Sequence, residues 1–338
     1  MTPMPGDLPE ISVVIVNFNG RAHLETCLAA VEGQEDARFE VVLVDNASDD
    51  DSVRTVRERF PSVRLVLLDE NRGFAGGNNA GVAEARGRLI AFLNNDTRAD
   101  TRWLAYLRAA LESSPDVAMV TSRIVFMHDP SILDSAGDGL TRAGGAFKRG
   151  HGGAAQAEST PREVFGACGA AFMMTRSVFD EVGGFDEDFF LSHEDVDLSY
   201  RVRLRGYRVL YVPDATVEHA GSVTIGRTSR LSVFHGQRNL EWVYLKNTPG
   251  WLLCRTLPLH VIYDLAALVY FARVGHLLTF VSAKWAAVRG VPRMWRKRRA
   301  IQKTRQVNLQ HLWALLEPRW LGLKWHEKRF DVKVAGAR

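Results

Sequence analysis

The sequence predicts an α/β fold with a mostly parallel central sheet, followed by an apolar and basic helical extension. Three observations predict it. Short β-branched runs alternate with amphipathic stretches over residues 11–121. Polar, chemistry-bearing residues fall directly after those runs. Beyond Thr248-Pro249-Gly250 the chain turns into a long, aromatic-rich apolar stretch. Strands joined by helices imply right-handed crossovers and a parallel sheet. Ligands on such sheets bind outside the carboxyl ends of the strands.

Residues 11–16 form a continuous apolar run suited to a strand buried on both faces. Leu24, Leu28 and Val31 recur at helical spacing before Gly33. Residues 40–44 read as a second strand, and the segment around Val53 and Val56 as a helix ended by Pro61. A strand at 63–68, a helix near 79–86 and a strand at 89–93 repeat the alternation, and residues 100–113 and 117–121 continue it. Residues 122–163 are glycine-rich and read as a long irregular segment, of the kind that is functional or mobile. Patterning resumes at 165–175, with a helix carrying Asp197 to Arg205 and strands at 208–212 and 215–218.

The 338 residues, 46% hydrophobic and 24% charged, match a globular composition able to bury a core. The net charge of +4 is unevenly spread: acids dominate residues 32–51 and bases residues 289–305. Such asymmetry suggests that the C-terminal part faces something anionic. Cys27, Cys168 and Cys254 form no C-x-x-C pair, so they read as reduced core residues of a cytosolic protein. Residues 1–10 carry three prolines and no apolar core, and no signal peptide is expected.

Residues 251–288 are very apolar, but Arg255, Asp264, Arg273 and Lys284 interrupt them and Pro258 is expected to break the helix early. No uncharged run reaches the roughly 18 residues of a spanning helix. Arg293, Arg296, Lys297, Arg298 and Arg299 follow, interleaved with Trp295. The stretch reads as an interfacial membrane attachment, or as a helical subdomain with a solvated basic face.

Four stations carry chemistry. The first pairs Val16, Asn17 and Asn19 with Asp45 and Asn46, polar residues on two adjacent strand ends. They suit a base and ribose, with Asp45 accepting from a pyrimidine N–H; helix capping accounts for Ser48 and Asp49. The second, Asn71 to Asn79, contains Arg72, Gly73, Phe74 and Asn78 and opens a helix, so its backbone N–H groups can approach a diphosphate. It fits neither the dinucleotide nor the P-loop pattern. The third is Asn94-Asn95-Asp96-Thr97, where Asp96 either binds a divalent cation or caps the next helix. The fourth is His193-Glu194-Asp195-Val196-Asp197. Asp197 lies four residues before Arg201, a structural salt bridge. That leaves Glu194 and Asp195 at a helix start, where the dipole favours the ionised form a general base requires. His219, at the end of the last strand-like stretch, is either structural or a metal ligand in the same cleft as Asp96.

Together the ordered motifs resemble glycosyltransferase family 2 enzymes with the GT-A fold, over about residues 11–247. The runs that carry the resemblance are Val13-Val14-Ile15-Val16-Asn17-Phe18-Asn19, Val44-Asp45-Asn46-Ala47-Ser48-Asp49, Asn71-Arg72-Gly73-Phe74-Ala75, Asn94-Asn95-Asp96, and Gly183-Gly184-Phe185-Asp186 before His193-Glu194-Asp195-Val196-Asp197-Leu198. The last two are similar to those of bacterial rhamnosyltransferases that use dTDP-rhamnose. The resemblance implies a Rossmann-like nucleotide-diphospho-sugar transferase fold at 11–247, with a nucleotide-sugar half at 11–121 and an acceptor half at 122–247. A helical, membrane-associating extension at 251–330 follows. It implies Asp195 as catalytic base beside Glu194 and Asp45 on the pyrimidine. Val16, Asn17, Asn19, Asn46, Arg72, Gly73, Phe74, Asn78 and Asn95 fall on the donor side. Asp96 and His219 would hold a divalent cation, Mg²⁺ or Mn²⁺, although the first carboxylate of the family's D-x-D element is Asn94 here. The implied partners are a dTDP- or UDP-sugar, a glycan or polyprenyl-diphosphate-linked acceptor and an anionic membrane surface, with no nucleic acid. The implied location is cytoplasmic, peripheral on the inner face of the membrane. Residues 122–163 are the candidate acceptor contacts. The rivals are a nucleotidyltransferase, whose basic N-terminal signature loop is missing after Val16, a non-catalytic nucleotide-sugar or polysaccharide-binding protein, and nucleic-acid binding through the 293–299 strip, which its apolar neighbour disfavours relative to lipid.

Overall fold

The computed structural model describes residues 8–221 and 229–324, with Glu327 and Phe330. Residues 1–7, in the stretch where no signal peptide is expected, lie outside the described residues, as do 325–326 and 328–329 of the expected extension.

Strand and helix alternate through β1 (Ile11–Asn17), α1 (Arg21–Glu32), β2 (Phe39–Asp45), α2 (Ser52–Arg59), β3 (Arg64–Leu67), α3 (Gly73–Glu84) and β4 (Leu89–Asn94). Then come β5 (Thr97–Ala99), α4 (Trp103–Leu111), β6 (Val117–Phe126), β7 (Asp129–Ser135), β8 (Asp138–Leu140), β9 (Ala146–Lys148) and β10 (Arg162–Glu163). The chain continues with β11 (Ala171–Thr175), α5 (Arg176–Val182), α6 (Glu194–Leu204) and β12 (Arg208–His219). Helices α7 (Arg230–Asn247), α8 (Gly250–Arg273), α9 (Leu277–Lys303) and α10 (Leu309–Leu315) complete it.

The main sheet runs β10-β12-β6-β11-β4-β1-β2-β3. Strands β3, β2, β1 and β4 are mutually parallel, and β6 is parallel to β12; β11 runs against both β4 and β6. Because β2 leaves β1 on one side and β4 flanks it on the other, the strand order reverses at β1. The crevice beyond its carboxyl end is the expected ligand site.

The unbroken run in β1 is explained by two buried faces. Val13 and Ile15 pack with Leu24 and Leu28 of α1 and Trp103 of α4, whereas Val14 packs on the α3, α5 and α6 side with Val82, Phe179 and Leu198. A third cluster joins Tyr200 and Leu204 of α6 to Trp242 of α7, Met294 of α9 and Leu312 of α10.

The structure corrects several expectations. Helix α3 begins at Gly73, so most of the glycine-rich station is helix. Residues 122–163 are not irregular: β6 extends into them, and β7 to β10 follow in short antiparallel pairings. The two expected strands at 208–212 and 215–218 are one strand, β12, with an irregularity between Val212 and Thr216. Pro213 has no N–H to donate to the ladder there. Pro258 does not break α8, which continues through it; only one i−4 hydrogen bond is forfeited. Cys27 and Cys168 are buried as expected, and burial pushes the Cys27 thiol up to about 12. Cys254, however, is exposed.

Candidate active site

The carboxyl ends of β1, β2 and β4 share one hydrogen-bonded cluster. Asn17 donates through Nδ2 to Asp45 Oδ1 and to Ser48 Oγ, both at 3.2 Å, and accepts from Asn95 Nδ2 at 2.7 Å. Ser48 N–H donates to the other oxygen of Asp45 at 3.0 Å. Ser48 Oγ also accepts from the N–H of Asn19, which sits at φ +51°. Ser48 and Asp49 therefore cap nothing: α2 starts later, at Ser52, and Ser48 instead ties β1 to β2. Asp45, Asn46 and Asn17 are buried.

Asn46 anchors the second station. Its Oδ1 accepts from Arg72 N–H at 2.8 Å, and its Nδ2 donates to Asn71 Oδ1 and to Gly73 O. Gly73 N–H turns to Asn71 Oδ1, and Phe74 N–H to Phe190 O, at 2.8 Å each. The first donors of this station are thus engaged within the protein. Gly73 is needed for its φ of +69° and for contact with Phe190, whose carbonyl oxygen would stand 2.3 Å from an added Cβ. Gly77 and Gly81 let α3 lie against β1, where a Cβ would meet Val16 at 2.7 Å and Val14 at 2.4 Å. Arg72 pairs with Glu187 at 2.9 Å, Phe74 stacks edge-on against Phe185, and Asn78 donates back into its own helix at Phe74 O.

Asp96 occupies the tight turn between β4 and β5. It caps no helix, since α4 begins only at Trp103. It is buried, and His219 Nε2 lies 3.3 Å from its carboxylate. His219 reaches it because β12 pairs with β5, His219 against Thr97. The other ring nitrogen, Nδ1, lies 2.8 Å from Asp134 Oδ2, and Lys148 Nζ sits 2.9 Å from both Asp134 oxygens. Burial opposes a charged imidazole, but the two carboxylates reverse it and raise His219 to about 9. Burial likewise opposes ionisation of Asp96, and His219 outweighs it, lowering the carboxyl below its ordinary value. The donor set fits a cation: one carboxylate and one imidazole converge, suited to Mn²⁺ as well as Mg²⁺, with further positions left for diphosphate oxygens.

Asp195 lies across the same sheet edge. Its Oδ2 accepts from Gly169 N–H at 2.8 Å, and the neighbouring Ala170 O accepts from Asn94 N–H at 2.9 Å, two residues before Asp96. Val196 N–H donates to Asp195 Oδ1 at 2.7 Å. The helix dipole does not dominate here as expected. Burial raises the Asp195 carboxyl despite those two N–H groups. Burial and the adjacent Asp195 hold Glu194 well above the ordinary range, with its Oε2 buried and lacking a donor.

The rest of the acidic cluster is structural. Asp197 is bound by Arg201 at 2.9 Å, by Lys246 Nζ at 2.7 Å and by Asn247 Nδ2 at 2.7 Å. Lys297 lies 2.6 Å from Asp188, and Arg293 pairs with Asp188 at 2.9 Å. Lys297 and Lys246 both pair with Asp186 and, outweighing burial, hold it far below the carboxylate range. Part of the expected basic strip therefore pairs with these acids, with Lys297 half-buried and Arg293 still exposed.

Sequence reasoning missed Asp134, Lys148, Lys246 and Asn239. Buried Asn239 donates to the carbonyls of Phe189, Leu191 and Ser192 at 2.9, 2.8 and 2.7 Å. It clamps the turn before α6, where Phe190, Ser192 and His193 all have positive φ. No motif marks these residues; the one available signal was Asp134 directly after the apolar pair Ile132-Leu133.

The family model described as glycosyl transferase family 2 matches residues 12–183. This chain belongs to glycosyl transferase family 2. It is 29% identical over 250 residues to the N-acetylglucosaminyl-diphospho-decaprenol L-rhamnosyltransferase of Mycobacterium tuberculosis, covering 67% of this chain and 81% of that one. It is 31% identical over 229 residues to the O-antigen biosynthesis protein RfbC of Myxococcus xanthus, covering 64% of this chain and 18% of that protein. Among solved structures, this family 2 chain resembles the mannosyltransferase PcManGT from Pyrobaculum calidifontis in complex with GDP-Man and Mn²⁺. That match has a TM-score of 0.54 at 19% identity and covers 99% of this chain and 88% of that one. GalNAc-T7 with UDP, GalNAc and Mn²⁺ matches with a TM-score of 0.56 at 17% identity, covering 71% and 48%. These likenesses establish the GT-A fold, whose sheet is the one described above.

Proposed function

We propose that this glycosyltransferase is an inverting enzyme of cell-surface polysaccharide synthesis. In its most specific form, the reading is transfer of rhamnose from dTDP-rhamnose to a hydroxyl of a glycan or polyprenyl-diphosphate-linked acceptor. The observation that carries it is the convergence, at the β1/β4 crevice, of the Asn17–Asp45–Asn95 cluster, the Asp96–His219 pair and Asp195. The relative from Mycobacterium tuberculosis, a rhamnosyltransferase by name, supports the choice of sugar and of a polyprenyl-diphosphate acceptor.

In this reading Asn17, Asp45 and Asn95 hold the base and ribose. Asn46 fixes the Arg72–Phe74 turn above them. Asp96 and His219 hold the divalent cation, which when bound neutralises charge on the departing diphosphate. Asp195 takes the proton from the acceptor hydroxyl, and that oxygen attacks the anomeric carbon as the bond to the diphosphate breaks, inverting the centre. A carboxyl raised by burial is better matched to that proton transfer than an ordinary aspartate. The peripheral membrane location is supported by the outward apolar face of α8 and α9, and among the described residues α8 alone is long and apolar enough to cross a bilayer.

The test is a panel of dTDP-, UDP- and GDP-sugars with Mn²⁺ or Mg²⁺, scored by nucleotide release with and without a lipid-linked acceptor. Acceptor-dependent release from dTDP-rhamnose is expected. Release from a UDP- or GDP-sugar alone would replace the donor, and binding without turnover on any donor would favour the non-catalytic alternative.

A further inference from the structure

Helices α8 and α9 form a hairpin whose outer face keeps Trp251, Ile262, Leu265, Leu278, Trp285 and Val288 each more than half exposed. At one end of this face lies an open cavity of about 460 Å³, lined by Gly250, Trp295, Arg298, Arg299, Gln302 and Arg305. It lies by Thr248 and Thr304, beyond the C-terminal end of α6 and away from Asp195 at the start of that helix.

The charge in this cavity is uncompensated. Among the described residues no carboxylate pairs with Arg298, Arg299 or Arg305; buried Arg298 spends Nη1 on the carbonyls of Leu245 and Thr248. Burial and nearby Arg305 pull the Arg298 guanidinium below its ordinary value. The N-terminus of α8 opens at Gly250 with Pro249 as its cap residue, no capping side chain and no acid in the first turn, which adds the positive pole of a long helix. Gln302 donates to Asn247 O at 2.7 Å but leaves its Oε1 buried without a donor.

Guanidinium groups beside uncapped backbone N–H groups are matched to phosphate oxygens. The unpartnered Gln302 oxygen suits a hydroxyl or ammonium attached to that phosphate. Exposed Trp251 and Trp295 beside the cavity are side chains that settle at the headgroup level of a bilayer. We propose that this cavity binds a phosphate ester, supplied by an anionic phospholipid headgroup when the apolar face of α8 and α9 rests on the membrane. The lipid source rests on the membrane reading above, whereas the phosphate site does not.

The full-length protein is titrated with inorganic phosphate and, separately, with vesicles of phosphatidylcholine or of an equal mixture with phosphatidylglycerol. The test variant is R299A/R305A. Arg299 is exposed and Arg305 half-buried, so both can be removed without touching the carbonyl contacts of Arg298. Wild type is expected to prefer the mixed vesicles, and the variant to lose about 25-fold in affinity for them at low salt while keeping its affinity for neutral ones. If wild type binds no vesicle but its phosphate titration is lost in the variant, the site stands with free phosphate as its ligand and the membrane reading falls. Unchanged phosphate and mixed-vesicle affinities in the variant overturn the proposal, as does a preference for duplex DNA over mixed vesicles.

Discussion

Asp134 Oδ2 stands 2.8 Å from Nδ1 of His219, and this contact decides which nitrogen of the ring looks at Asp96. Lys148 fixes Asp134 in turn, from β9. A carboxylate behind a metal-binding histidine orients the ring and raises its basicity.

Asp134→Ala is therefore expected to weaken Mn²⁺ binding by roughly 10–100-fold, read by electron paramagnetic resonance of Mn²⁺ in the presence of a nucleoside diphosphate. An unchanged affinity would mean that the Asp134–His219 contact has no bearing on metal binding.

Asp195→Asn is expected to lower transfer by roughly 10²–10⁴-fold while nucleotide binding persists. The asparagine keeps one acceptor oxygen, so one of the two N–H contacts from Gly169 and Val196 survives. Full activity in this variant ends the case for Asp195 as base.

Lys246 is buried between Asp186 and Asp197. Lys246→Met leaves both carboxylates short of their cation and is expected to cost about 3–5 kcal/mol of stability, measured by denaturant titration. A loss within experimental error would mean that Lys297 and Arg201 compensate alone.

Asn239→Ala removes three hydrogen bonds to the left-handed turn before α6. A stability loss of about 2–3 kcal/mol and a fall in kcat with little change in KM for the donor are expected. A change confined to KM would place the effect in donor binding instead.

Glu194 has a folded-state carboxyl held well above its unfolded value by burial and Asp195. Its contribution to stability is complete below the ordinary carboxylate range and is lost as pH rises through the raised folded value. Glu194→Gln is expected to flatten the fall in Tm as pH rises above the ordinary carboxylate range. An identical pH profile for wild type and variant would contradict this.

Most of the sheet was legible because β-branched runs and helical spacing are local signals. Val13, Ile15, Leu24 and Leu28 each encode a buried face without reference to distant residues. Asp45, Asp96 and Asp195 were legible for a related reason: each follows a strand or opens a helix, and the fold delivers such positions to one edge. The glycine station carries two signals at once, because close packing of a helix on a strand and close approach to a phosphate ask for the same residue. Gly77 and Gly81 serve the former, against Val16 and Val14.

By itself the sequence determined the α/β alternation, the family pattern and the identity of the carboxylates at the strand ends. Tertiary structure alone decided how those carboxylates are charged and what holds them. Burial overrides the helix dipole at Glu194 and Asp195, and Lys246 and Lys297 turn Asp186 into scaffold. The partners of His219 arrive from β4–β5 on one side and β7 on the other. Desolvation and ion pairing depend on what folds around a group, and those neighbours lie scores of residues away along the chain.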